Sequence, residues 1–167
     1  MTPSDRRISW CLRQKKGIRM EEPNDGLCKS YLKEANDSLV SMNANMKAGL
    51  RKWVIITAYY ARYHAIYALL RKAGIKSEIH DCSIALVKYL FSGIFDREFF
   101  AELEESKEQR INLQYYTNRT VSDSDYERNM TSSREFVLRV EKAIDSLTFQ
   151  EISRARERLS DLLKKRP

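Results

Sequence analysis

The segment at residues 50–73 constrains the fold most, because apolar side chains occupy nearly every side of the helix that it predicts. Trp53, Ile56, Tyr60 and His64 recur at steps of three and four residues along one side, and other aliphatic residues and tyrosines fill the rest. A helix of this kind must be surrounded by other helices. Its polar and charged interruptions make it unsuited to spanning a bilayer. The sequence therefore predicts an all-α fold with a buried central helix and no membrane insertion.

The rest of the chain predicts helices that are apolar on one face only. With five glycines and three prolines in 167 residues, long helices joined by short turns are expected. We predict helices at residues 27–49, 78–91, 95–116 and about 132–147, a loop at 117–126, and a last helix opened by the capping box Thr148-x-x-Glu151. The predicted architecture is an up-and-down helical bundle with an extra C-terminal helix.

The net charge of +7 is concentrated at the two ends of the chain. We therefore predict three parts: a basic N-terminal arm at residues 1–26, a helical bundle at 27–147, and a basic C-terminal helix at 148–167 packed on the bundle. Clusters of arginine and lysine attract phosphates at long range. The alternative interpretation is that these charges form a loose arm and a solvated helix face.

The cysteines and histidines favour neither a disulfide nor a metal site. Cys11, Cys28 and Cys82 are odd in number and far apart, so we expect reduced thiols, with Cys82 a small core residue. The chain holds two histidines and no phosphate-binding, dinucleotide-binding, zinc-protease or serine-hydrolase motif, so no metal or cofactor is predicted. The N-terminus lacks an apolar secretory segment, which predicts a cytoplasmic location.

The run at residues 53–91 carries a specific pattern. It contains Ala-Tyr-Tyr-Ala at 58–61, His64-Ala65, Ala-Leu-Leu at 68–70, Gly74, Lys76 and His80. This pattern resembles the HEPN family of small helical proteins, and the resemblance extends over about residues 27–116. It implies a HEPN-type bundle that pairs as a homodimer and handles RNA or nucleotide in the cleft between two copies. It also implies a minimal nucleotidyltransferase as partner in a toxin–antitoxin pair.

The resemblance directs attention to residues 108–119, which include the end of the helix predicted at 95–116. Active HEPN ribonucleases have an arginine followed four to six residues later by a histidine, and need no metal. Here Arg110 is present and Asn112 is its polar neighbour, but Tyr115 and Tyr116 stand where the histidine is expected. A tyrosine with an ordinary pKa of about 10 moves protons poorly at neutral pH. We therefore predict that Arg110, Asn112, Tyr115 and Tyr116 bind RNA or nucleotide and that ribonuclease activity is weak or absent.

Two other functions stay open. The first is an active metal-independent endoribonuclease in which a tyrosine or His64 replaces the missing histidine, and His64 is therefore a fifth candidate site residue. The second is a non-enzymatic helical adaptor. Each candidate also has a structural interpretation: His64 as a core histidine, His80 as a helix cap, the tyrosines of the central helix as packing residues, and Arg110 in an ion pair with Glu104, Glu105 or Glu108.

Overall fold

Seven α-helices and one short antiparallel ribbon make up the part of the chain that the structure describes. This computed structural model describes the backbone of residues 3–164 and the side chains of residues 6–164. The elements in chain order are α1 (Pro3–Arg13), β1 (Arg19–Met20), α2 (Asp25–Lys47), α3 (Arg51–Lys72), β2 (Ile75–Lys76), α4 (His80–Leu90), α5 (Arg97–Tyr115), α6 (Asp123–Ser146) and α7 (Phe149–Lys164). The predicted all-α bundle is confirmed.

The central helix is α3, as its apolar pattern predicts. It packs against α2, α4, α5 and α6, and most of its 22 residues are buried. One stripe stays at least partly accessible to solvent: Trp53, Thr57, Tyr60 and His64. Gly74, in the left-handed region with φ of 70°, follows its last turn and ends the helix as predicted. The accessible stripe is the part of α3 that can contribute to a site.

The helix after the polar loop begins earlier than its apolar pattern predicts. The loop predicted at residues 117–126 is present but ends at Ser122, and the predicted cap at Ser132 or Ser133 is wrong. The N-cap of α6 is Ser122, whose side chain accepts a hydrogen bond from the Asp125 amide. Asp123 and Asp125 lie in the first turn, where their charges stabilise the positive end of the helix dipole. The start of α6 is therefore set by the Ser122 cap and the charges of the first turn, and the apolar face of the helix begins later.

The N-terminal segment is packed on the bundle. In α1, Ile8, Cys11 and Leu12 are buried, and the helix packs mainly on α4. A disulfide joins Cys11 to Cys82 over a separation of 71 residues, which overturns the expectation of reduced cysteines. The reason is tertiary: the packing of α1 on α4 brings the two Cα atoms to 5.6 Å, and spacing along the sequence does not reveal this.

The basic C-terminal helix uses two of its arginines as helix caps. Arg156 donates to the backbone carbonyls of Glu21 and Ala73 at 2.7 and 3.0 Å, and Ala73 is the C-cap of α3. Arg158 donates to the carbonyls of Tyr89 and Leu90 at the end of α4. These contacts join α7 to the ends of two other helices.

The division into arm, bundle and C-terminal helix stays a prediction.

Within residues 3–164, no helix combines the length and the apolar character that crossing a membrane requires.

Candidate functional site

Arg110 lies near the end of α5 with its guanidinium among tyrosine rings. Its Nη2 donates to the Tyr60 hydroxyl at 3.0 Å. The guanidinium carbon is 5.7, 5.6 and 5.6 Å from the ring centres of Tyr59, Tyr60 and Tyr115. These distances permit cation–π attraction, which holds the guanidinium in place.

No carboxylate whose side chain the structure describes pairs with Arg110. Among residues 6–164 it makes no ion pair, and its buried Nε has no hydrogen-bond partner. The predicted alternative of an ion pair is therefore not found. Glu104 pairs with Arg7 and Lys107 instead, and Glu105 pairs with Arg128. A half-buried guanidinium that lacks a counter-ion is an unusual arrangement, because buried charges are normally paired.

His80 reaches the same tyrosines from the first residue of α4. Its Nδ1 lies 2.6 Å from the Tyr59 hydroxyl, and its ring stacks on Tyr63 with 3.7 Å between ring centres. Burial raises the pKa of Tyr59 far above its usual value, so this hydroxyl keeps its proton and is able to donate a hydrogen bond to Nδ1. When it does so, the neutral imidazole carries its own hydrogen on Nε2.

His64 lies on the other side of Tyr60, with 5.9 Å between the ring centres. Its Nδ1 is 3.4 Å from the Ser38 hydroxyl, which itself donates to the Glu34 carbonyl at 2.8 Å. Ser38 consequently accepts from Nδ1, and the Nε2 of a neutral His64 keeps its lone pair. Burial lowers the pKa of His64, which favours this neutral form.

We refer to the residues that surround Tyr60 as the Arg110 cluster: Tyr59, Tyr60, Tyr63, His64, His80, Arg110 and Tyr115. Three of the five candidates from the sequence belong to it: His64, Arg110 and Tyr115. Asn112 does not, because it projects from another side of α5 and lines a groove of about 220 Å³ with Ile55, Leu113 and Val121. Tyr116 is the exposed C-cap residue of α5. The structure thus separates Asn112 from Arg110.

Sequence reasoning missed the contribution of His80. We considered it as a helix cap, but the N-cap of α4 is Ile79, and the His80 ring bonds to Tyr59. The only available signal was the Lys76-x-x-x-His80 part of the family pattern. Among the described residues, no three His, Cys, Asp or Glu side chains converge as metal ligands would.

We expect His80 to make the fold less stable in acid. Burial first, and then the charges of Arg110 and His64, lower the pKa of His80 from 6.5 to about 4. As the pH falls from 6.5 toward about 4, His80 takes up a proton in the unfolded chain but not in the folded chain, so the free energy of unfolding decreases. Above pH 6.5 the contribution of His80 to this free energy is constant. Urea titrations at about pH 7 and about pH 5 should show a smaller loss for His80→Gln than for wild type. An equal loss in both proteins would contradict the assignment.

Fold and site together define an all-α domain that holds a cationic, tyrosine-rich cluster beside its central helix. A family model described as the HEPN domain matches residues 28–143. The chain therefore belongs to the HEPN domain family, and the match includes all of α3, α4 and α5. No curated protein matches the sequence.

Proposed function

We propose that this HEPN-domain protein binds RNA or nucleotide phosphates at the Arg110 cluster, in a cleft shared by two copies of the chain. The observation that carries the proposal is the half-buried guanidinium of Arg110, which has no carboxylate partner in the described part of the chain. An anionic ligand would supply the missing charge, and the planar fork of arginine suits phosphate oxygens. Exposed rings such as Tyr115, at 65 % accessibility, offer stacking surfaces for unpaired bases.

The homodimer has its own support in exposed aromatic surface. Trp53, Tyr115 and Tyr116 are 47, 65 and 54 % accessible. The start of α3 and the end of α5 lie side by side, since Ile55 and Leu113 line one groove. Self-pairing is common among HEPN domains, and isologous pairing of this surface would cover the rings. Light scattering should return about twice the chain mass of 19.7 kDa, and a clean monomer would contradict the shared cleft.

The proposal extends to a cytoplasmic location and to a minimal nucleotidyltransferase as partner in a toxin–antitoxin pair. Membership of the HEPN family is the support for this partner. Co-expression with a neighbouring nucleotidyltransferase, followed by size-exclusion chromatography, tests the association.

A second candidate function is metal-independent RNA cleavage, and the two histidines favour it. Although α5 has no histidine, His64 and His80 flank Tyr60, which bonds to Arg110. The Nε2 lone pair of His64 could accept the proton of an RNA 2′-hydroxyl while Arg110 binds the phosphate. Because the pKa of His80 is lowered to about 4, the ring is neutral at pH 7 and does not serve as a general acid. Binding without efficient cleavage therefore stays the preferred function.

Replacing Arg110 with alanine should weaken RNA binding about 10- to 100-fold, because charge-assisted hydrogen bonds to phosphate contribute about 1.5–3 kcal/mol. The helical content should be unchanged, since Arg110 is half-buried and its hydrogen bond is to the partly accessible Tyr60. Fluorescence anisotropy with a short mixed-sequence RNA measures the affinity. Arg97→Ala is the matched control. Arg97 lies on the same helix, is exposed, and makes no ion pair among residues 6–164.

The same samples, incubated in EDTA, separate the three functions. Binding that is lost in Arg110→Ala but kept in Arg97→Ala, with little cleavage, supports the proposal. Robust cleavage by wild type that is lost in both Arg110→Ala and His64→Ala would support the ribonuclease. Equal binding by wild type and Arg110→Ala would remove Arg110 from any site, and the helical adaptor would then be the better interpretation.

A further inference from the structure

The disulfide is attached to α4, the helix that contributes His80 to the Arg110 cluster. Cys82 is two residues after His80, in the first turn of α4, and it is bonded to Cys11 of α1. Both cysteines are fully buried. The N-cap of α4, Ile79, provides no side-chain hydrogen bond to the helix. Ser77 makes local hydrogen bonds with the backbone of Ile79, and tertiary contacts also hold the start of α4 in position.

The N-terminal segment supplies several of these tertiary contacts. The Lys16 carbonyl accepts from the Glu78 amide at 3.0 Å, and the Glu78 carboxylate pairs with Lys16 and Arg19. The strand β1 pairs with β2, which ends four residues before His80. The N-terminal segment is thus attached to the chain on both sides of His80: at residues 75–78 before it and through the disulfide at Cys82 after it.

A chain of ion pairs extends this attachment to α5. Arg7 of α1 pairs with Glu104, which lies 3.3 Å from the Lys107 ammonium. Lys107 also bonds to Asp81, the residue between His80 and Cys82, at 2.6 Å. Lys107 is three residues before Arg110 on α5. The position of α1 is therefore coupled to both helices that supply the site.

We propose that the Cys11–Cys82 disulfide regulates ligand binding at the Arg110 cluster. When the bond is formed, it holds α1 on α4 and keeps His80 and Arg110 in their observed places. When it is opened, α1 separates more readily, the first turn of α4 loosens, and the affinity falls. This inference rests on the proposed function, since it concerns the same site.

The redox step is thiol–disulfide exchange with a low-molecular-weight thiol couple. A small thiolate attacks one cysteine sulfur and forms a mixed disulfide, and the other cysteine leaves as a thiolate that takes up a proton. A second small thiolate then attacks the sulfur of the first small thiol and displaces the protein cysteine, which takes up a proton. The protein thus gains two electrons and two protons while two small thiols become one disulfide. Because both sulfurs are buried, α1 must open locally before attack.

The test compares RNA affinity of the full chain after oxidation by oxidised glutathione and after reduction by dithiothreitol. We expect the oxidised wild type to bind RNA at least about fivefold more tightly than the reduced wild type. A difference of this size lies in the usual range of coupling between sites. Cys11→Ser with Cys82→Ser should bind like reduced wild type in both conditions. Cys28→Ser, which removes the free buried cysteine, should keep the full response. If the double variant does not fold, the reversible change in wild type decides the matter.

Regulation and binding fail in distinguishable ways. Equal RNA affinity in both redox states would overturn the regulation and leave the proposed function in place. Mass spectrometry tests whether the disulfide forms, because its formation lowers the mass by two hydrogen atoms. An oxidised sample with the mass of the reduced protein would also overturn the regulation. If neither state binds RNA, the proposed function fails, and the imidazole NMR signals of His80 still test the coupling. They should shift on reduction, and unchanged signals would overturn it.

Discussion

Replacing Glu102 with alanine is expected to lower the free energy of unfolding by about 3–5 kcal/mol, because it leaves a buried charge without its partner. Arg62 on α3 is only 1 % accessible, and its Nε donates to Glu102 Oε1 at 2.9 Å. Its other nitrogens donate to Asn129 and Ser132 of α6, each at 2.9 Å. Burial lowers the pKa of Arg62, and Glu102 opposes that effect. The network connects three helices through one guanidinium.

Urea unfolding followed by circular dichroism measures the effect, and Glu108→Ala is the matched control. Glu108 lies on the same helix, is exposed, and makes no ion pair with any residue between 6 and 164. Its removal should change the free energy of unfolding by less than about 0.5 kcal/mol. Similar values for the two variants would contradict a central role for the Arg62 network.

Removing the disulfide should cost a comparable amount. In Cys11→Ser with Cys82→Ser, the unfolded chain regains the freedom that a crosslink over 71 residues removes. Loop-closure entropy for that length corresponds to about 4 kcal/mol. Urea titrations of oxidised wild type and of the double variant measure it. Reduced wild type should unfold near the midpoint of the variant. A difference of less than about 1 kcal/mol between oxidised wild type and the variant would contradict the expectation.

Local signals in the sequence predicted much of the helical framework. Apolar residues around the full circumference of residues 50–73 predicted the central helix, and Gly49 and Gly74, with φ of 72° and 70°, end two helices where expected. The capping box at Thr148 is confirmed, because the Glu151 amide donates to Thr148 Oγ1 and the Thr148 amide donates to Glu151 Oε2. These features are local, since each depends on residues within one or two turns.

The features that the sequence did not reveal depend on tertiary structure or on polar caps. The apolar pattern begins after the true start of α6, because Ser122 caps the first turn while the apolar face starts later. The partner of Cys11 is 71 residues away, so its identity follows only from the packing of α1 on α4. Helical periodicity describes one element at a time and carries no information about such contacts.

The candidate site combines both kinds of information. Arg110 was found through the resemblance to the HEPN family, and its role in binding stays a prediction. The sequence could not show that Arg110 lacks an ion pair among residues 6–164, because three glutamates are close to it in the sequence: Glu104, Glu105 and Glu108. The structure assigns two of them, Glu104 and Glu105, to other cations. The contact between His80 and Tyr59 joins α4 to α3 across 21 residues, which the pattern of either helix does not encode.

The most direct test of the central claim locates bound RNA on the protein. Ultraviolet cross-linking of a short mixed-sequence RNA containing 4-thiouridine, followed by peptide mapping, identifies the residues that touch bases. We predict cross-links on Tyr115 and Tyr60, beside Arg110, and their loss in Arg110→Ala but not in Arg97→Ala. Cross-links confined to α1 or α7, unchanged by Arg110→Ala, would contradict a binding site at the Arg110 cluster.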